Sequence, residues 1–186
     1  DTLVETLGRD RVTAQADGGN EGYPVLLTRE AFALKMPAQD PLLQQLRQAG
    51  ARQRAKLLDE AGAVLVRENV DPARLVKPSH IDAAEWFASP LDLVRTLDRL
   101  RRMNSKEAMD ILAISPGVPL DEAARFAWVG YKGGSEAGVI SHSFLIHTRD
   151  DRWYALSASG NNPAALVDKD RFGVIVHRAL TLITQE

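Results

Sequence analysis

Cysteine is absent from the 186 residues. That excludes disulfides, thiolate metal sites and a cysteine nucleophile, and leaves the redox compartment open. A basic surplus is missing too, since the formal net charge is −2. A general nucleic-acid binder carries clustered positive charge to displace counterions from phosphates, so nucleic acid is not an expected partner. No run reaches the roughly 18 apolar residues that a membrane helix needs, and no signal-peptide pattern is present. The histidines at 80, 142, 147 and 177 show no metal spacing. His142 and His147 are five apart on one expected strand and so face opposite sides. Neither a metal nor a cofactor is expected. There are no repeats and no low-complexity tracts, and Gly18-Gly19 lacks a phosphate-loop pattern.

What is there is an ordinary apolar content of 45%, enough for a real core in one domain. Residues 2–7 form a short helical pattern, and 17–22 a loop of residues that tolerate positive φ. Thr28 opens a helix with Glu30 in its first turn, and Pro37 ends it. Pro41 begins another. A longer helix is expected over 51–66, with Ala55, Leu58, Ala61, Gly62 and Leu65 on one face. The stretch 71–84, with Pro72 and Pro78, is irregular. Ser89-Pro90-Leu91-Asp92 combines a serine cap, proline at the first helical position and an acid three residues on. Leu93, Val94, Leu97 and Leu100 then make a buried stripe. Asn104 is expected to cap the next helix, with Glu107 three residues later.

From Ala124 the apolar period changes. The runs 126–132, 139–148 and 153–159 read as strands, with Arg149-Asp150-Asp151-Arg152 as the turn between the last two. The run 168–185 is a final helix whose apolar face is expected to be Phe172, Ile175, Val176, Ala179, Leu182 and Ile183. The expected fold class is α+β. A helical region (1–123) precedes an antiparallel three-stranded meander and a C-terminal helix (124–186), all in one domain.

The most informative run is Tyr131-Lys132-Gly133-Gly134-Ser135-Glu136-Ala137-Gly138. Glycine weakens a strand and often marks a place where a ligand approaches the backbone. A lysine at the same spot adds a fixed positive charge. The plainer alternative is an edge-strand lysine that discourages aggregation. Trp86 and Phe87 read as anchors between the helical region and the sheet, and Trp128 and Trp153 as core rather than as a substrate platform.

Lys132-Gly133-Gly134 in this strand context resembles the C-terminal part of the serine β-lactamase and penicillin-binding-protein superfamily, with class A-like serine hydrolases the nearest likeness. There a Lys-Thr-Gly or Lys-Ser-Gly strand borders the active-site cleft, followed by two strands and a terminal helix. Glu85-Trp86-Phe87-Ala88-Ser89 and Thr28-Arg29-Glu30-Ala31-Phe32-Ala33-Leu34-Lys35 carry the likeness further along the chain. Two family motifs are not found. No serine is followed three residues later by lysine. Ser159-Gly160-Asn161 fits Ser-x-Asn in letters alone, after the last strand, where the family has no such element. Asp1-Thr2-Leu3-Val4 resembles the helix downstream of both motifs, so the resemblance implies one incomplete domain over 1–186, the second half of an enzyme.

The resemblance also implies roles. Lys132 is a cation at the cleft, drawing in a substrate carboxylate and biasing proton transfer. Ser135 supplies a backbone N–H to an oxyanion hole, and Gly133, Gly134 and Glu136 lie along the substrate. Gly133 stands where β-lactamases commonly carry a hydroxyl residue. Glu30 falls near the family's omega-like loop, where a glutamate activates the deacylating water. The Glu-x-x-x-Asn spacing is not met, because Leu34 follows. A first-turn acid favoured by the helix dipole is the other reading of Glu30.

The function implied is acyl transfer on a β-lactam, peptide or ester, with this chain inactive by itself. The alternative is a non-catalytic binding or structural module that keeps the second half of the fold. Expected partners are the missing N-terminal part of the same protein, or another chain paired along an open sheet edge, and a small-molecule or peptide-like substrate. A bacterial periplasmic, envelope or secreted location is implied by resemblance alone.

Overall fold

The computed structural model describes residues 2–9 and 24–183. The expected loop at 17–22 and the last residues of the expected final helix lie outside them. The chain divides into two compact units, Asp1–Ser89 with Pro163–Ala165, and Pro90–Asn162 with Leu166–Glu186.

The first unit is helical: α1 (Thr2–Leu7), α2 (Thr28–Ala33), α3 (Asp40–Gln48) and α4 (Ala51–Glu60), then 3-10 turns at Arg67–Asn69 and Pro72–Val76. Its core gathers Leu26, Ala31, Leu34, Leu43, Leu46, Leu58, Leu65 and Ala84. The helix expected over 51–66 stops at Glu60, because Ala61 and Gly62 close it with a tighter turn in which the Gly62 N–H reaches the Asp59 carbonyl. Leu58 and Leu65 are fully buried all the same, while Gly62 is exposed.

Two charged pairs are sunk into this unit. Arg9 forks onto Glu30, with Nη1 donating to Oε2 at 3.0 Å and Nη2 to Oε1. Its Nε also reaches Asp59 Oδ1 at 3.0 Å. Burial opposes the charge on Arg9, but the Glu30 and Asp59 carboxylates outweigh it and raise its pKa above the ordinary guanidinium value. Lys35 pairs with Glu85 and sits 5.9 Å from the centre of the Phe32 ring. Trp86 is half exposed and donates its indole N–H to the Leu26 carbonyl at 3.0 Å, anchoring this stretch within the first unit.

The second unit holds α5 (Pro90–Met103), α6 (Lys106–Ala113), α7 (Leu120–Ala123), β1 (Trp128–Glu136), β2 (Val139–His147), β3 (Trp153–Asn161) and α8 (Lys169–Ile183). The three strands form one antiparallel sheet in the order β1-β2-β3. The class is α+β: helices, a three-stranded antiparallel meander, and a C-terminal helix. No helix among the described residues is long and apolar enough to cross a membrane.

Local chemistry explains the joints. Ser105, one residue later than expected, caps α6 by accepting from the Ala108 N–H at 3.3 Å. Asn104 instead takes φ 49°, a left-handed turn that ends α5. The β2–β3 turn is closed at Thr148 and Arg152, whose backbone and side-chain groups bond reciprocally, with Asp151 at φ 67°. Strand β1 runs later than expected, over Trp128–Glu136, so the glycines lie inside the strand rather than past its end.

One sheet face packs on α8 through Phe126, Val129, Phe144, Ile146, Val176 and Leu180. The other lies against α5 and α6. There Trp153 stacks on His147 at 4.3 Å and meets Trp128 at a tilt, 5.8 Å between ring centres, with the Arg101 guanidinium 5.8 Å from its ring. The face of α8 differs from expectation. Val176 and Leu180 are buried, whereas Ile175 and Leu182 are 60% and 58% exposed. The helix is apolar around more of its circumference than one sheet can cover, and packing chose the narrower stripe.

Candidate functional site

Strand β1 sets the geometry, and its register follows from the turn. Glu136 pairs with Val139 across the two-residue turn Ala137-Gly138, and Gly138 has φ 81°, open to glycine at little cost. A pair flanking such a turn is hydrogen-bonded, and bonded pairs alternate along an antiparallel ladder. The N–H and C=O groups of Tyr131, Gly133 and Ser135 therefore turn to the outer edge of β1. Among the described residues no strand lies beyond that edge. Ser135 thus holds its N–H where an extended substrate could meet it.

Side chains alternate between the two faces. Lys132 projects on the α5/α6 side, is exposed, and donates to the neighbouring Gly133 carbonyl. Its cross-strand partner is Ser143, which is hydrogen-bonded to Ser157 at 3.0 Å. The next row repeats the pattern, with Ser141 bonded to Ser159 at 3.0 Å. Lys132 stands at the end of a short hydroxyl ladder. Glu136 shares its side of the sheet and ends the strand, partly buried.

The opposite face carries a hollow of about 540 Å³ near the start of α8. Gly133, Gly134 and Ser135 line it from β1, Ile140 and His142 from β2, and Lys169 and Gly173 from α8, with Tyr131 lying across it. The Tyr131 hydroxyl is 2.7 Å from His142 Nδ1. The imidazole is stacked on Phe172 at 5.7 Å. Burial pushes the Tyr131 pKa up, and burial, aided by His177, pushes His142 down. Both groups are uncharged at neutral pH.

Gly133 has a steric reason to be glycine. A Cβ there would stand 2.0 Å from the Tyr131 hydroxyl oxygen, because the phenol lies along its own strand over this position. Gly130 serves Trp128 in the same way on the other face, with a Cβ 2.3 Å from the indole. Gly134 differs, since a Cβ would meet nothing within 4 Å. It is the open point of the strand.

Glu30 belongs to the first unit and is 2% exposed. Its carboxylate accepts both Arg9 bonds and the Leu27 N–H at 2.8 Å, which supplies half of a capping box at the start of α2. A carboxylate occupied by a guanidinium fork and a backbone amide is poorly placed to take a proton from water. The structure thus brings Gly133, Gly134 and Ser135 into one hollow and sets Lys132 and Glu136 on the other side of the same strand.

No family model matches this chain, and no curated protein does.

Tyr131, His142 and Lys169 are site residues that sequence reasoning passed over. The signal for two of them was present. Once the turn at 137–138 sets the register, Gly133 faces His142 and Tyr131 faces Phe144. Lys169 enters through the docking of α8, which no local pattern specifies.

Proposed function

We propose that the chain carries the lysine-strand wall of a serine hydrolase resembling class A β-lactamases and penicillin-binding proteins, and that its reaction class is acyl transfer on a β-lactam, peptide or ester. One observation carries the reading: Ser135 turns its N–H to the uncovered edge of β1, three residues after a solvent-facing Lys132. In acyl transfer, an N–H in that position stabilises the oxyanion of the tetrahedral intermediate, and a nearby cation attracts a substrate carboxylate. The hydroxyl ladder beside Lys132 adds further donors on the same side. The chain holds no Ser-x-x-Lys. The nucleophile and its base are therefore proposed to come from residues outside these 186, and this chain is inactive without them. A bacterial envelope or secreted location goes with the same reading.

A second reading is favoured by Gly133. Its lack of a side chain is accounted for by Tyr131 packing alone, without a substrate. On that reading the chain is a non-catalytic binding or structural module.

Intact-mass spectrometry separates the two. This chain, and the polypeptide read from the same gene with its upstream codons, are exposed to a fluorophosphonate and to a reactive β-lactam. Under the hydrolase reading the longer polypeptide contains Ser-x-x-Lys and gains one covalent group, Lys132→Ala slows labelling roughly 100-fold, and this chain stays unlabelled. Labelling of this chain by itself, or upstream codons without the motif, overturns that reading.

A further inference from the structure

The hollow of about 540 Å³ on the α8 side of the sheet takes no part in the hydrolase reading, which uses the outer edge of β1 and the opposite face. Its size lies within the range of small-molecule sites, roughly 300–1,000 Å³. Two glycines open on it without a packing reason. Gly134 is exposed within β1, and Gly173 lies inside α8. A Cβ at either would meet nothing within 4 Å. Glycine weakens strands and helices alike, so each costs stability and gains no contact in return. Gly133 and Gly160 differ, since a Cβ there would stand 2.0 Å from the Tyr131 hydroxyl oxygen and 3.3 Å from the Phe172 ring.

The polar groups of the hollow are of two kinds. The first is the neutral pair, Tyr131 Oη and His142 Nδ1, 2.7 Å apart. Whichever way that bond runs, one donor stays outside it: the imidazole Nε2–H when the phenol donates, the phenol O–H when Nδ1–H donates. Neighbouring rings hold the pair. His142 is stacked on Phe172 at 5.7 Å and on Phe144 at 6.4 Å, and Tyr131 meets Phe144 at 4.8 Å. Groups fixed in this way lose little freedom when a ligand arrives. The second is the Lys169 ammonium, which carries the charge among the described residues lining the hollow. Asp168, before it, turns back to cap α8 by accepting the Arg171 N–H at 2.9 Å, and Asp170, after it, is exposed. Neither acid is among the described lining residues. The rest of the wall is the Tyr131 ring, Ile140 and the bare backbone of Gly133, Gly134 and Gly173. Such flat surfaces suit a ring better than a branched chain.

We propose that this hollow binds a flat hydroxyaromatic carboxylate, with the carboxylate at Lys169, the ring over the two open glycines, and the ring hydroxyl on the Tyr131–His142 pair. The inference is independent of the hydrolase reading, because it needs neither Lys132 nor a nucleophile from outside the chain.

The experiment titrates the whole chain with 4-hydroxybenzoate, phenol and benzoate at neutral pH and follows backbone amides by NMR. Each probe is taken to about 20 mM, since ligands of so few atoms bind in the millimolar range or tighter. 4-Hydroxybenzoate should shift the amides around 133–135, 142 and 169–173 along one saturable, single-site curve. Phenol and benzoate should bind at least about fivefold more weakly, because each lacks one of the two polar contacts. Lys169→Gln, at an exposed position, should weaken 4-hydroxybenzoate about fivefold. Gly173→Leu fills the hollow from the helix side and should abolish the saturable shift. Its melting temperature should stay at or above the parent's, because leucine is the better helix former, so lost binding is not lost folding. Four results overturn the proposal: no saturable shift with 4-hydroxybenzoate, either simpler probe binding as tightly, unchanged affinity in Lys169→Gln or Gly173→Leu, or a lower melting temperature in Gly173→Leu, which would give Gly173 a packing reason after all.

Discussion

At the scale of single residues, the two central glycines of the motif play different parts. Gly133 lies beneath the Tyr131 hydroxyl, whereas Gly134 borders empty space. Gly133→Ala should therefore destabilise the chain by about 1–3 kcal/mol through overpacking, and Gly134→Ala should be close to neutral. Urea denaturation of both variants measures this. In a Tyr131→Ala background the Gly133→Ala penalty should vanish, and a penalty that persists would show that Tyr131 is not its cause. His142 supplies a second test. Burial and His177 hold its pKa below the ordinary imidazole value of 6.5, so the unfolded chain takes up this proton first as pH falls. Its contribution is fully present above about pH 6.5 and is lost as pH drops below that value. Melting temperatures measured from pH 7.5 to 5 should fall less steeply in His142→Gln than in the parent. Equal slopes would remove His142 as a source of acid sensitivity.

At the scale of elements, helix α8 shows where periodicity stops being informative. Its apolar residues wrap more than one face, so the pattern alone admits Ile175 and Leu182 as core residues. Packing admits Val176 and Leu180 and leaves Val174, Ile175 and Leu182 outside. Val176→Asp should abolish cooperative unfolding by circular dichroism, since it buries an unpaired charge. Ile175→Asp and Leu182→Asp should each change stability by less than about 1 kcal/mol. If Ile175→Asp unfolds the chain, the face assignment fails. Strand β1 makes the complementary case. Glycine weakens a strand by propensity, yet the ladder runs through Gly133 and Gly134 because the turn at Ala137-Gly138 lies beyond them and Tyr131 covers the gap.

At the scale of the whole molecule, both outer strands of the sheet have no neighbouring strand among the described residues. Thr148 and Arg152 are bonded across the second turn, so the alternation turns the N–H and C=O groups of Trp153, Ala155, Ser157, Ser159 and Asn161 to the outer side of β3. Among the described residues no strand lies there. A nine-residue strand with no strand paired on its outer side is a template for pairing with another chain. Size exclusion with light scattering over a hundredfold concentration range should show association that reverses on dilution. A monomer at every concentration would count against edge pairing. Breaking the edge with Ser157→Pro should shift the balance towards monomer, because proline removes an outward donor that a partner strand needs.

The order of elements was legible in the residues because it rests on local chemistry: Pro90 opening a helix, the change of period after Ala124, the Arg149–Arg152 turn. The alternation that separates Lys132 from Ser135 was not, because the expected strand stopped at Lys132 and only the observed ladder carries the pleat on to Glu136. What the tertiary structure alone decided lies between elements distant in sequence. It paired Arg9 with Glu30, turning a candidate base into a buried ion-pair partner. It laid Tyr131 over Gly133 and against His142, and it brought Lys169 and Gly173 to the same hollow. Periodicity says which side of a helix or strand is apolar. It does not say how far along and around that side its neighbour sits, because that is settled by how side-chain volumes fill the space between elements.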